Sequence, residues 1–187
     1  MEPDSSEGVE NIARADFIDD ATVRLPEDYR DWTAVGLVIL PPGAPTILTG
    51  ELVEENQIFL TYAEPTALAA YRASGEWPDG TQLLKEMTVN DFDTGECNTE
   101  TGYCAKSPHG MSISEADFFG IGYMIKDASR FADAPGHWGY FGFGPVDGTP
   151  YPETARLRPV AECASCHIAN RADSDYVFSD QHIRLQE

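Results

Sequence analysis

The chain has 187 residues, 12 of them basic and 32 acidic, which gives a formal charge of -20. Such a charge repels phosphate backbones and anionic membrane surfaces, so it argues against a nucleic-acid partner; it suits a basic redox protein as visitor, and equally serves solubility or a saline habitat. With 42% hydrophobic and 11% aromatic residues the chain can bury a real core, unlike disordered or fibrous sequences.

Residues 1–24 are acidic and poorly patterned and are expected to form an N-terminal arm, leaving 25–187 as one domain. The opening Met1-Glu2-Pro3-Asp4 lacks the basic and then apolar order of an export signal. The chain is therefore expected to be either cytoplasmic or a mature form from which a signal has been removed. No apolar run approaches the length of about 20 residues that a membrane span needs; the longest, around Ala34 to Leu40, stops at Pro41-Pro42.

A strand is expected over 32–40, rich in Val, Ile and Leu, and another over 57–62. Pro65 opens an alanine-rich stretch that predicts a short helix, with Gly75 as its cap. Asp79-Gly80 marks a turn into a strand over 81–89, where Leu84, Glu86 and Thr88 alternate with Leu83, Lys85 and Met87. Lys85 thus shares a face with two apolar residues, a costly place for an ammonium unless the side chain has a task or snorkels out at an edge. Cys97 and Cys104 bracket a short polar loop and predict a disulfide-closed hairpin, hence an oxidising compartment. Segments 117–125 and 138–143 are aromatic strands whose glycines leave room for a flat ligand, and 127–132 is expected to be a helical connection between them. A proline-rich loop over 145–159 then leads into a short helix carrying Cys163 and Cys166. The sum is an α+β fold, mainly an antiparallel β-sheet with a few short helices.

Cys163-Ala164-Ser165-Cys166-His167 is the attachment pattern of c-type haem. Two thiols at that spacing add across the two vinyl groups, and the adjacent histidine becomes the axial iron ligand. A thioredoxin-like redox pair would want a βαβ setting and a zinc site a second suitably spaced pair; the sequence offers neither. Electron-transfer cytochromes often recruit a methionine or histidine on the other face of the iron. Candidates here are Met87, Met111, Met124, His109, His137 and His182. Each suits a core or surface role better, which leaves a five-coordinate iron with an open position.

The stretch from Cys163 through Asn170, with Asp175-Tyr176-Val177-Phe178 after it, resembles the C-terminal haem segment of the cytochrome P-460 family. Three more stretches agree in order: Leu25-Pro26-Glu27-Asp28-Tyr29-Arg30-Asp31-Trp32, then Gly75-Glu76-Trp77-Pro78-Asp79-Gly80-Thr81 with Lys85-Glu86, and Lys126-Asp127-Ala128-Ser129-Arg130-Phe131 with Gly136-His137-Trp138. The resemblance implies a small, mostly antiparallel homodimer with one covalently bound haem that oxidises hydroxylamine to nitrous oxide or nitrite. It also implies a lysine bonded to the haem, which falls on Lys85, and a distal carboxylate that moves protons. Glu115, Asp117 and Glu153 are the candidates for that carboxylate, and Phe59 and Phe118 could cap an apolar distal pocket. The relatives named cytochrome c′-beta share the fold and bind nitric oxide without turnover, so a gas-binding role stands as the alternative, with a plain electron shuttle third. For the first two, the expected location is the periplasm, and a soluble cytochrome is the expected electron acceptor.

Overall fold

The computed structural model describes residues 12–46, 51–90, 97–98, 103–104, 118–144 and 152–185. Its frame is a five-stranded antiparallel sheet in the order β2-β3-β4-β7-β8, made of Thr33–Leu40 (β2), Asn56–Ala63 (β3), Gln82–Asn90 (β4), Phe118–Lys126 (β7) and Trp138–Phe143 (β8). The described residues also form two small pairs: Thr22–Arg24 (β1) with Thr154–Arg156 (β9), and Cys97–Asn98 (β5) with Tyr103–Cys104 (β6). The α-helices among the described residues are Pro65–Ser74 (α1) and Cys163–Arg171 (α2). The fold is α+β and mainly antiparallel, as the alternating patterns predict.

Side chains alternate between the two faces of each strand, and each face builds its own core. On one face Leu84, Ile121, Tyr123, Phe141 and Phe143 pack with Val23, Tyr29 and Ala155. On the other Leu83, Trp138 and Tyr140 pack with Leu68 of α1, Ala164 of α2 and the C-terminal Val177 and Leu185. Neighbours in sequence such as Leu83 and Leu84 therefore serve different cores, and the second face is the one that receives the helix bearing the cysteines.

Local chemistry sets the element ends. Pro65 occupies the first turn of α1, where its missing N–H costs nothing. Glu64 caps that turn by accepting from the backbone N–H of Thr66 at 3.1 Å and of Ala67 at 2.7 Å. Gly75 ends α1 with a φ of 78°, a conformation that glycine adopts without a Cβ penalty.

Three expectations change. The connection over 127–132 is a series of turns: the Asp127 carboxylate accepts from the N–H groups of Ser129 at 3.0 Å and Arg130 at 2.9 Å. A side chain that satisfies those donors locally competes with helix, and the only helical piece of this connection is a 3-10 turn at Pro135–His137. The stretch over 145–159 is not all loop, because β9 falls inside it and pairs with β1. Of the acidic arm, residues 12–24 lie on the sheet: Val23 is fully buried, Phe17 packs edge-on to Phe131 and Phe141, and Arg24 N donates to Asp16 O at 2.8 Å.

Candidate functional site

Cys163 and Cys166 are free thiols one helical turn apart on α2, so they lie on one face of it. Ser165 holds the first turn by donating its hydroxyl to Glu162 O at 2.7 Å, and Ala164 anchors the helix in the second core. Burial pushes the Cys163 thiol up, more than nearby Arg158 and Lys85 pull it down.

His167 follows directly and sits partly buried between Tyr140 and Phe178, with ring centroids 4.9 Å and 5.0 Å away. Its Nδ1 is 2.7 Å from the carbonyl oxygen of Tyr176. A carbonyl only accepts, so Nδ1 carries the proton and Nε2 presents a lone pair. Burial, the largest cause, pulls His167 below its ordinary histidine value. The imidazole is therefore oriented and neutral, as a metal ligand must be.

Lys85 projects from β4 to the same face. Burial lowers its pKa from the ordinary lysine value, opposed by the electrostatic pull of Cys163 and Cys166. Nζ stands 5.2 Å from the centre of the Phe59 ring, and among the described residues it has neither an ion pair nor a hydrogen bond. An amine held this way is biased toward its uncharged, nucleophilic form.

Register explains the room around it. Directly paired residues share a face, and the row through Lys85 reads Gly36, Thr61, Lys85, Gly122, Gly142 from β2 to β8. Glycine fills three of the five positions in that row. A Cβ on Gly36 would run into His182 and one on Gly142 would come within 3.1 Å of Arg158, while at Gly122 the nearest atom would be Lys85 Cε at 4.0 Å. The sheet is thus lowered beside Lys85, on the face where α2 and the C-terminal segment pack. Two thiols, an oriented imidazole, a half-buried amine without an ion pair among the described residues, and a glycine-lowered floor form a donor set that fits a flat iron macrocycle.

The remaining predicted residues divide. Glu153 is exposed ahead of β9, whose Ala155 belongs to the opposite core, so the fold does not bring it to the thiols. Phe118 opens β7, its side chain lying outside the described residues, as do Glu115, Asp117, His109 and Met111. Cys97 and Cys104 face each other as direct cross-strand partners, with their side chains also outside the description. Among the possible sixth ligands, Met87 lies on the Lys85 face with its methyl toward Gly120, Met124 packs against the second core, and His137 Nδ1 lies 3.3 Å from Phe131 O. His182 is buried against Gly36 with Nδ1 unpartnered, and burial lowers its pKa.

Reading residues by type missed two features. The carbonyl of Tyr176 is a backbone atom and leaves no mark in composition. The row of glycines exists only once strand register is known, although Gly120, Gly122 and Gly142 inside strand patterns hinted at a close approach.

A mainly antiparallel sheet that presents a Cys-x-x-Cys-His helix over such a floor defines a c-type haem cytochrome. The family model described as Cytochrome P460 matches residues 26–179, and the chain belongs to that family. Haem is accordingly its cofactor. A search among curated proteins returned no match.

Proposed function

We propose that the chain holds one haem covalently through Cys163 and Cys166, with His167 as axial ligand and Lys85 as a further point of attachment, and that it oxidises hydroxylamine. The observation that carries this reading is Lys85: a half-buried amine with no carboxylate partner among the described residues, on the same face as the thiols and the imidazole. When bound, haem would supply a redox-active iron able to take up a small nitrogenous molecule. The chain's own part would be to turn Nε2 of His167 toward the metal and to present both thiols from one side of α2 on the face that carries Lys85. Joining the Lys85 nitrogen to a haem carbon removes one hydrogen from each, so it needs an oxidant of the peroxide class. Electrons released from hydroxylamine would pass to a soluble cytochrome, and the charge of -20 suits a basic one. Thioether attachment and a Cys97–Cys104 disulfide would both suit an oxidising compartment such as the periplasm. The exposed Leu37 and Ile39 on edge strand β2 suit a homodimer contact.

The ferrous optical spectrum tests the assignment. A strongly red-shifted Soret band that disappears in Lys85→Ala is the expected result and leads to a hydroxylamine assay. An ordinary high-spin c-haem spectrum, unchanged by that substitution, would sink the Lys85 bond and move the assignment to nitric-oxide binding.

A further inference from the structure

Behind His167 lies a clamp that the haem chemistry does not itself require. Lys126, at the end of β7, donates from Nζ to Asp175 Oδ2 at 2.5 Å and to the Trp77 carbonyl at 2.9 Å. The other oxygen of Asp175 accepts from Trp138 Nε1 at 3.3 Å. The pair is largely removed from water, with side-chain exposures of 16% for Lys126 and 29% for Asp175. Asp175 thus ties the segment after α2 to two strands of the sheet.

What the clamp holds is an unusual piece of backbone. Asp175 and Tyr176 both have positive φ, 51° and 62°, a region that non-glycine residues keep only where their surroundings fix them. Tyr176 N donates to Arg171 O at 2.7 Å, and Ser174 Oγ donates to Val177 O at 3.0 Å. The Tyr176 ring fills the space over Gly136, where a Cβ would collide with it. This double left-handed turn sends the chain back so that Tyr176 O meets His167 Nδ1 at 2.7 Å and Phe178 lies against the ring.

We propose that Lys126 and Asp175 are positioning residues for the axial ligand: their ion pair fixes the 171–178 strap, and the strap fixes the Tyr176 carbonyl on His167 Nδ1. Iron-binding histidines are tuned through their second nitrogen, since donation from Nδ1–H makes Nε2 a stronger donor. A stronger donor favours oxidised iron and lowers the reduction potential. The clamp therefore acts on the iron without touching it. This inference rests on the reading of His167 as axial ligand.

The test uses the haem-loaded protein, with Lys126→Gln and Asp175→Asn set beside Val23→Ala, a cavity in the core of the opposite face. Both strap variants are expected to shift the ferrous iron–histidine stretch to lower frequency and the reduction potential upward. Val23→Ala is expected to lower thermal stability while leaving both readouts at wild-type values. The clamp is overturned if the strap variants bind haem with unchanged stretch and potential, or if the control shifts them equally. A wild-type protein without covalent haem would instead remove the reading beneath it. In that case 15N NMR of the apoprotein still decides: the Nδ1–H tautomer of His167 should lose its dominance in the strap variants, and an unchanged tautomer ratio overturns the clamp.

Discussion

Lys85 and Glu86 are neighbours on β4 that face opposite ways, and their surroundings are opposites too. Lys85 has no counter-charge among the described residues, whereas Glu86, only 3% exposed, accepts from the hydroxyls of Tyr29 and Tyr62 and from Arg30 Nε at 2.9 Å. The acid next in sequence therefore does nothing to neutralise the lysine. Glu86→Gln should cost about 2–3 kcal/mol, the scale of hydrogen bonds to a charged group; Arg30, nearly half in water, keeps the loss below that of a fully buried pair. Urea unfolding measures it, and the ferrous spectrum should stay unchanged because Glu86 points away from the thiols. A spectral change as large as that of Lys85→Ala would mean that the two faces of β4 are not independent. At this scale the arrangement of the candidate site was legible: the spacing puts Cys163, Cys166 and His167 on one short helix, and strict alternation puts Lys85 on the face that this helix packs against. The Tyr176 carbonyl was not legible, because a backbone atom is placed by two φ angles that residue types alone do not announce.

Among the elements, strands with dense Val, Ile, Leu and aromatic content were readable to within a residue or two, and so was α1 with its proline and glycine ends. The stretch over 127–132 was misjudged because Asp127 satisfies backbone donors that a helix would have used. β9 was hidden by the prolines around it, and its three residues gain their pairing only from the distant β1. Register was beyond reach, since the bulges between Ala34 and Gly36 and between Met87 and Thr88 shift which residues meet. Yet register is what places Gly122 beside Lys85. Gly122→Val makes that placement testable: a β-branched residue favours a strand, and the added atoms enter space where the nearest neighbour is Lys85 Cε at 4.0 Å. The variant should fold at least as stably as wild type without haem, yet show a several-fold lower haem-to-protein ratio. Full haem loading with an unshifted spectrum would show that the floor beside Lys85 is not where the cofactor lies.

For the whole molecule, the excess of acid acts on every residue at once, and buried hydroxyls act against it in a way that pH can separate. Burial, followed by the neighbouring Glu86 charge, pushes Tyr62 from its ordinary 10 up to about 12, and burial also raises Tyr123 and Tyr140. The folded protein then keeps protons that the unfolded chain gives up. The stability these hydroxyls contribute is whole below pH about 10 and is lost as pH rises, for Tyr62 between about 10 and about 12. Self-repulsion from the charge of -20 is a separate, long-range cost, screened as the Debye length falls from about 30 Å at 0.01 M salt to about 8 Å at 0.15 M. Salt should therefore raise the urea midpoint at neutral pH without removing the alkaline fall, because screening does not restore the hydration that a buried phenolate lacks. Tyr62→Phe should lower the neutral plateau slightly, through the lost bond to Glu86, and make the first part of the fall shallower at either salt concentration. If added salt abolishes the fall in the wild-type protein, global repulsion and not the buried tyrosines limits its stability in alkali.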